Sequence, residues 1–205
     1  MSRGLLVDFG GVLTTNVFES FRAFADDEGL DPDAVKHVFR GGGEGLALLR
    51  RLERGELTVE EFEPEFAAVL GIADRAEGMV ERLFAGVGPD EAMIAGVRRA
   101  KDAGVPTGLI SNSWGGTTYD LELMEELFEA RVISGEVGLH KPQPEIYELG
   151  AERLGVPPAD CVFVDDLKEN CEGAEAVGMT AILHRGADST LPELERLLGV
   201  ELTPR

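Results

Sequence analysis

Four short stretches of the chain carry side chains that could act together on an anionic ester. They are Asp8 in Asp8-Phe-Gly-Gly-Val-Leu-Thr14, the run Ser111-Asn112-Ser113, Lys141 in His140-Lys-Pro-Gln-Pro144, and the pair Asp165-Asp166. Three carboxylates, an ammonium and a hydroxyl make a site for Mg²⁺ and a phosphoryl group. Mg²⁺ takes hard oxygen ligands, commonly one or two carboxylates plus substrate oxygens, while Lys and Ser bind phosphoryl oxygens. An aspartate nucleophile is chemically sensible there, because an aspartyl-phosphate splits hydrolysis into two easier steps. Singly, each residue has a plainer reading: Asp after a strand often caps a turn, Ser-Asn is an ordinary loop, and Lys before Pro commonly faces water. Their shared place at the ends of apolar runs is what joins them into one site.

Those runs are residues 4–9, 105–111, 131–134, 161–165 and 180–184, each followed by a turn and then a helical pattern. Alternation of this kind predicts an α/β fold with a doubly wound parallel sheet, and such sheets bind ligands beyond the carboxyl ends of their strands. Helices are expected over 89–103, 118–130, 142–154 and 168–177, three of them closed by Gly104, Gly155 and Gly178. Far more chain separates the first two strands than the dozen or so residues a crossover helix needs. Residues 16–88 therefore read as an inserted small helical-bundle cap, and residues 1–15 and 89–205 as the core. Within the insertion, helices are expected over 18–28, 32–40 behind the cap Asp31, 44–54, from the capping box Thr58-Val-Glu-Glu61 to residue 70, and 74–85. Its acidic residues read as a solvated face.

Of the 205 residues, 39 are acidic and 19 basic, a formal charge of −20. Nucleic acids and anionic membranes call for a basic footprint, so neither is an expected partner. A small anion is still allowed, since one lysine, a metal or a few dipoles can overcome the net field locally. The opening apolar run is short and broken by Asp8, and no stretch is long enough to span a bilayer. A cytoplasmic location is expected, with Cys161 and Cys171 reduced and structural.

In order along the chain, Asp8-x-Gly-Gly-Val-Leu-Thr14, hydrophobic-Ser111-Asn112, Lys141-Pro and Phe163-Val-Asp165-Asp166-x3-Asn170-x2-Gly-Ala174-x3-Gly178 resemble the four motifs of the haloacid-dehalogenase superfamily, with its Rossmann-like core. The long insertion stands where that family places a helical C1-type cap. Arg54-Gly-Glu-Leu-Thr58 followed by Glu61-Phe62 is similar to caps of its sugar-1-phosphate phosphatase-like members. The resemblance implies a Mg²⁺-dependent phosphatase acting on a small organic phosphate monoester, such as a sugar phosphate. It implies Asp8 as nucleophile and metal ligand, the Gly10 carbonyl and Asp166 as ligands, and Asp165 as their support. Ser111 and Asn112 would hold phosphoryl oxygens, Lys141 would neutralise charge, and Asn170 would orient Lys141. Arg40, in the Arg40-Gly-Gly-Gly43 turn, could reach the mouth of the site and bind substrate, and Trp114 or Tyr119 could line it.

One position departs from the pattern. Most phosphatases of the family carry a second Asp two residues after the nucleophile as general acid and base, and here Gly10 stands there. Water, Thr14, Thr15 or a cap residue such as His37 would have to deliver the proton. Unless a cap residue does so, poor alkyl leaving groups are expected to suffer most, and Gly10→Asp to help them. Two other functions are compatible with the fold. A metal-independent haloacid dehalogenase would need no such acid, although Asp165-Asp166 argue for a cation and such enzymes usually carry Tyr where Gly10 stands. A binding or regulatory module that has lost activity is the other.

Overall fold

The computed structural model describes residues 3–112 and 119–203. Five parallel strands form one sheet: β1 (Gly4–Val7), β2 (Thr107–Ser111), β3 (Ala130–Ile133), β4 (Cys161–Asp165) and β5 (Thr180–Leu183), in the order β3-β2-β1-β4-β5. The chain builds outward from β1 on one side and then resumes at β4 on the other. The switch point, where ligands settle in such sheets, is thus the gap between β1 and β4. Because side chains alternate across a strand, Leu5 and Val7 of β1 with Val162 and Val164 of β4 face one layer. There they meet α6 (Glu91–Asp102), α7 (Leu121–Leu127) and α11 (Ala187–Leu198). Leu6 and Phe163 face the opposite layer, α9 (Pro144–Leu154) and α10 (Lys168–Ala176).

Residues between β1 and α6 form α1 (Val17–Asp27), α2 (Ala34–Arg40), α3 (Glu44–Glu53), α4 (Val59–Leu70) and α5 (Met79–Phe84). They close on an apolar cluster of their own, with Phe21, Phe24, Leu48, Phe62, Phe66 and Met79 at its centre. Thr58 and Glu61 make the expected capping box, the Thr58 hydroxyl accepting from Glu61 N–H and the Glu61 carboxylate from Thr58 N–H. Two chain crossings run side by side beneath this bundle: Thr15 N–H donates to the Gly88 carbonyl at 2.8 Å, and Asp90 N–H to Leu13 at 2.9 Å.

Several boundaries differ from the sequence expectation for local reasons. The helix expected over 74–85 is split into a 3₁₀ turn at Ala73–Arg75 and α5, because Gly78 takes a left-handed φ of 67°. α2 starts two residues late, with Asp31 accepting from Asp33 N–H and so capping a turn before the helix. A short helix, α8 (Ser134–Val137), follows β3 directly, and α11 lies beyond the last element expected. Not all insertion acids are solvated: Glu63 is buried and accepts from Gly78 and Val80 N–H at the start of α5, and Glu28 pairs with Arg75 and Arg82. Among the described residues, no helix is long and apolar enough to cross a membrane.

Candidate active site

Asp8 is the first residue past β1. Its N–H still pairs with Val164 of β4 at 2.9 Å, so the side chain emerges at the switch point, and its Oδ1 accepts from Phe9 N–H at 2.7 Å. The turn that follows needs Gly11: φ is 72°, and a Cβ there would lie 2.6 Å from Asp166 Oδ2. Gly10 is under no such restriction, since a Cβ there would meet only Val17 Cγ1 at 3.7 Å.

Lys141 Nζ sits between two carboxylates, 2.8 Å from Asp8 Oδ1 and 2.6 Å from Asp165 Oδ2. Asp165 is fully buried and also accepts from Asn170 Nδ2 at 3.0 Å and Leu167 N–H at 2.9 Å. Asn170 therefore reaches Lys141 only through Asp165, rather than by direct contact. Asn112 acts on the backbone of the lysine loop: its Oδ1 accepts from Lys141 N–H at 2.9 Å and its Nδ2 donates to the Lys141 carbonyl at 3.2 Å. Its side chain is thus spent on holding that loop. Burial opposes the charge on Lys141, but Asp165 and Asp8 outweigh it and hold its pKa above the ordinary lysine value.

Asp8, Asp165 and Asp166 each offer an oxygen within 4.8 Å of the others. One ammonium cannot balance three such carboxylates. Burial raises Asp8 to about 7, helped by repulsion from Asp165 and Asp166 and opposed by Lys141; burial and Asp165 raise Asp166 to about 6. Hard oxygen donors carrying uncompensated negative charge are what a divalent cation such as Mg²⁺ would relieve, so the donor set fits that ion.

A cavity of about 260 Å³ opens over these groups. Asp8, Gly10, Asn112, Lys141, Asp166 and Asn170 form its floor, whereas Phe18, Phe39, Arg40, Leu49, Arg50 and Glu53 from the helical insertion form its roof. Arg40 is brought to the cavity, its guanidinium 5.6 Å from the centre of the Phe18 ring. Ser111 ends β2 buried, its Oγ accepting from the Tyr119 hydroxyl at 3.0 Å, and it is not among the described residues that wall the cavity. Tyr119 packs beside Phe9 with ring centres 4.9 Å apart, away from the cavity wall. Trp114 lies outside the described residues.

The candidate proton donors drawn from the sequence are placed elsewhere. His37 is exposed on α2 and does not wall the cavity; the Thr14 hydroxyl accepts from Gly11 N–H and donates to the Thr15 carbonyl; the Thr15 hydroxyl accepts from Gly88 N–H. All three are committed to the surface or to the chain crossings. Glu53, the last residue of α3, is the roof residue that sequence reasoning missed. A Glu beside Arg54 in an acidic insertion looks like any solvated helix end.

The chain is 28% identical over 177 residues to acyl-CoA dehydrogenase family member 10 of Mus musculus, covering 82% of this chain and 16% of that protein. It is 27% identical over 190 residues to the phosphatase MT3486 of Mycobacterium tuberculosis, covering 87% and 85%. The chain spans well under half the length of the curated relatives it matches first. Its fold is shared with the HAD-family enzyme BT-2542 of Bacteroides thetaiotaomicron in complex with magnesium and inorganic phosphate, at a TM-score of 0.63 and 21% identity, over 89% and 93% of the two chains. Residues 3–178 match the family model of haloacid dehalogenase-like hydrolases, and the protein belongs to that family.

Proposed function

We propose that the protein is a Mg²⁺-dependent phosphatase that hydrolyses a small organic phosphate monoester through an aspartyl-phosphate on Asp8. The observation that carries this reading is the Lys141 ammonium held between Asp8 and Asp165, with Asp166 closing a three-carboxylate cluster beside it. A phosphatase name on a relative of nearly equal length, and magnesium with phosphate in a protein of the same fold, support it.

In this reading Asp8, the Gly10 carbonyl and Asp166 would hold the metal, which would supply positive charge to offset that of the phosphoryl group. Phe9 N–H and Lys141 both grip Asp8 Oδ1, so the carboxylate cannot rotate freely and its second oxygen keeps a set direction. Asp165 and Asn170 fix Lys141, and Asn112 fixes its loop. Ser111, its Oγ accepting from the Tyr119 hydroxyl, would give its own proton to a phosphoryl oxygen, as the family resemblance implies. Residues 16–88 act as a C1-type cap, and Arg40 and Arg50 in its roof would draw the phosphate in. Among small phosphates, the apolar roof of Phe18, Phe39, Leu46 and Leu49 favours an alcohol with apolar surface over a bare sugar, whose hydroxyls would find few partners there. Both cysteines are buried, and burial raises Cys161 to about 11 and Cys171 to about 12, in keeping with inert thiols in a reducing cytoplasm.

Purified protein assayed on aryl, alkyl and sugar phosphates, with Mg²⁺ and with a chelator, tests the reading. Phosphate release that needs Mg²⁺ is expected. Chelator-resistant halide release from a 2-halo acid would replace it with a dehalogenase, which the Asp165–Asp166 pair disfavours. Phosphate binding without turnover would replace it with a binding module.

A further inference from the structure

We propose that Glu53, carried in by the insertion, gives the proton to the departing alcohol and then takes one from the hydrolytic water, the part played in related phosphatases by the acid that Gly10 replaces. The inference rests on the phosphatase reading above.

The geometry begins with the end of α3. The Ser134 hydroxyl donates to the Glu53 carbonyl, tying that helix end to the residue just past β3. At Gly55, with a left-handed φ of 70°, a Cβ would lie 2.7 Å from the Gly135 carbonyl, so the turn after α3 presses directly on the core. Glu53 is thereby fixed over the strand ends and walls the cavity that holds Asp8 and Lys141. Among the described residues its carboxyl makes no hydrogen bond or ion pair, although Arg54, next in sequence, is paired with Glu56 at 2.6 Å.

The other acids and bases of the cavity are already employed. Asp8 and Asp166 serve attack and metal binding, and Glu169 is exposed on α10. His140 Nδ1 lies 3.0 Å from the Lys141 carbonyl and donates to it, which holds the ring against the lysine loop. Lys141, Arg40 and Arg50 are cations that hold their protons too firmly. Burial pushes the Glu53 carboxyl up to about 8, with Asp8 adding to the rise and Lys141, Arg50 and Arg54 opposing it, so the acid carries its proton at neutral pH.

The steps balance. Asp8 Oδ bonds to phosphorus as the bond from phosphorus to the ester oxygen breaks, and the Glu53 proton passes to that oxygen. Water then bonds to phosphorus, the aspartyl bond breaks, and the water proton returns to Glu53. Alcohol and phosphate leave, with both carboxyls restored.

The test compares p-nitrophenyl phosphate, whose leaving group needs no proton, with a simple alkyl phosphate in wild type, Glu53→Gln, Glu53→Asp and Asp8→Asn at saturating Mg²⁺. In the first turnover, Glu53→Gln should release alcohol from the alkyl ester about 10²-fold or more slowly and release p-nitrophenol as fast as wild type, which also proves that it folds; its aspartyl-phosphate should then break down more slowly after either ester. Glu53→Asp should recover part of the alkyl rate. An equal slowing of alcohol release from both esters in the first turnover, or no slowing, overturns the inference while leaving the phosphatase reading intact. Loss of both activities in Asp8→Asn supports that reading, and a wild type inert on every ester overturns both. Independently of turnover, ¹³C NMR of carboxyl-labelled glutamate, with Glu53→Gln to identify the line, should show Glu53 protonated at pH 7 in the presence of Mg²⁺ and inorganic phosphate. An ionised Glu53 there overturns the assignment.

Discussion

Floor and roof of the cavity are built on opposite plans. On the floor the charged groups other than Asp166 grip one another: Lys141 is held by Asp8 and Asp165, Asp165 by Asn170 and Leu167 N–H, and the lysine loop by Asn112. In the roof, apolar side chains surround a carboxyl that has no partner among the described residues, and arginines stand at the edge. A densely partnered network is rigid and suits chemistry that must be repeated on any ester, because preorganised charge needs no rearrangement during reaction. A lightly tethered apolar surface suits selection of the alcohol. In the reading proposed above, the proton donor stands in the roof and the floor has none.

The largest effect should come from the floor. Asp8→Asn should lower phosphate release by on the order of 10⁴-fold or more, as nucleophile deletions do when residues act as a unit. Folding, followed by circular dichroism, should survive, and the aspartyl-phosphate trapped by acid quench in wild type should be absent.

Next comes the metal. Asp166→Ala should weaken Mg²⁺ by at least about 10²-fold, judged from what outer ligands already cost, and added Mg²⁺ should restore part of the rate. In wild type, Mg²⁺ at a hundredfold excess over its dissociation constant contributes about 2.7 kcal/mol of stability. That corresponds to a rise in melting temperature of roughly 5–10 °C for a chain of this size, and Asp166→Ala should show little of it at the same concentration.

The roof should reveal itself in the pH profile. The acid works in its protonated form, so at saturating Mg²⁺ alkyl-phosphate turnover should fall about tenfold per unit above the Glu53 pKa, which burial raises to about 8. Asp8, Lys141, Arg50 and Arg54 are the charges that set this value. Glu53→Gln should lack that limb. A limb of the same midpoint in both proteins would return proton delivery to the floor.

The smallest effect is expected at Gly10. A Cβ fits there, so Gly10→Asp should fold. With Glu53 already supplying the proton, the ratio of aryl to alkyl turnover should stay within about threefold of wild type, against the gain of about 10²-fold expected if no acid were present. A large selective gain on alkyl phosphates would show that Glu53 falls short.

How much of this was legible in the chain differs between the two regions for one reason, the range over which each signal acts. The five strands and the caps of α4 and α9 follow from neighbours a few residues apart, such as Thr58 with Glu61 and Gly155 after Leu154. Even the floor was legible, since parallel strands must expose their carboxyl ends on one edge, and Asp8 and Asp165–Asp166 sit at such ends, with Lys141 in the loop between α8 and α9. α11 was not, because Pro192 interrupts its helical pattern. Nor was the employment of Asn112 and Asn170, whose partners Lys141 and Asp165 are decided by loop geometry rather than by spacing.

What the sequence determined by itself was the alternation of strands and helices, the long insertion after the first strand, and a set of hard oxygen donors with one lysine, for these rest on local periodicity and on residue type. Tertiary structure alone decided the strand order that brings β1 beside β4, and the docking of α3 that sets Glu53 over Asp8. The physical reason is that a carboxyl's chemistry depends on its solvent and its neighbours. Whether Glu53 lies in water or beneath an apolar roof is decided by contacts more than eighty residues away in the chain, at Ser134 and Gly135.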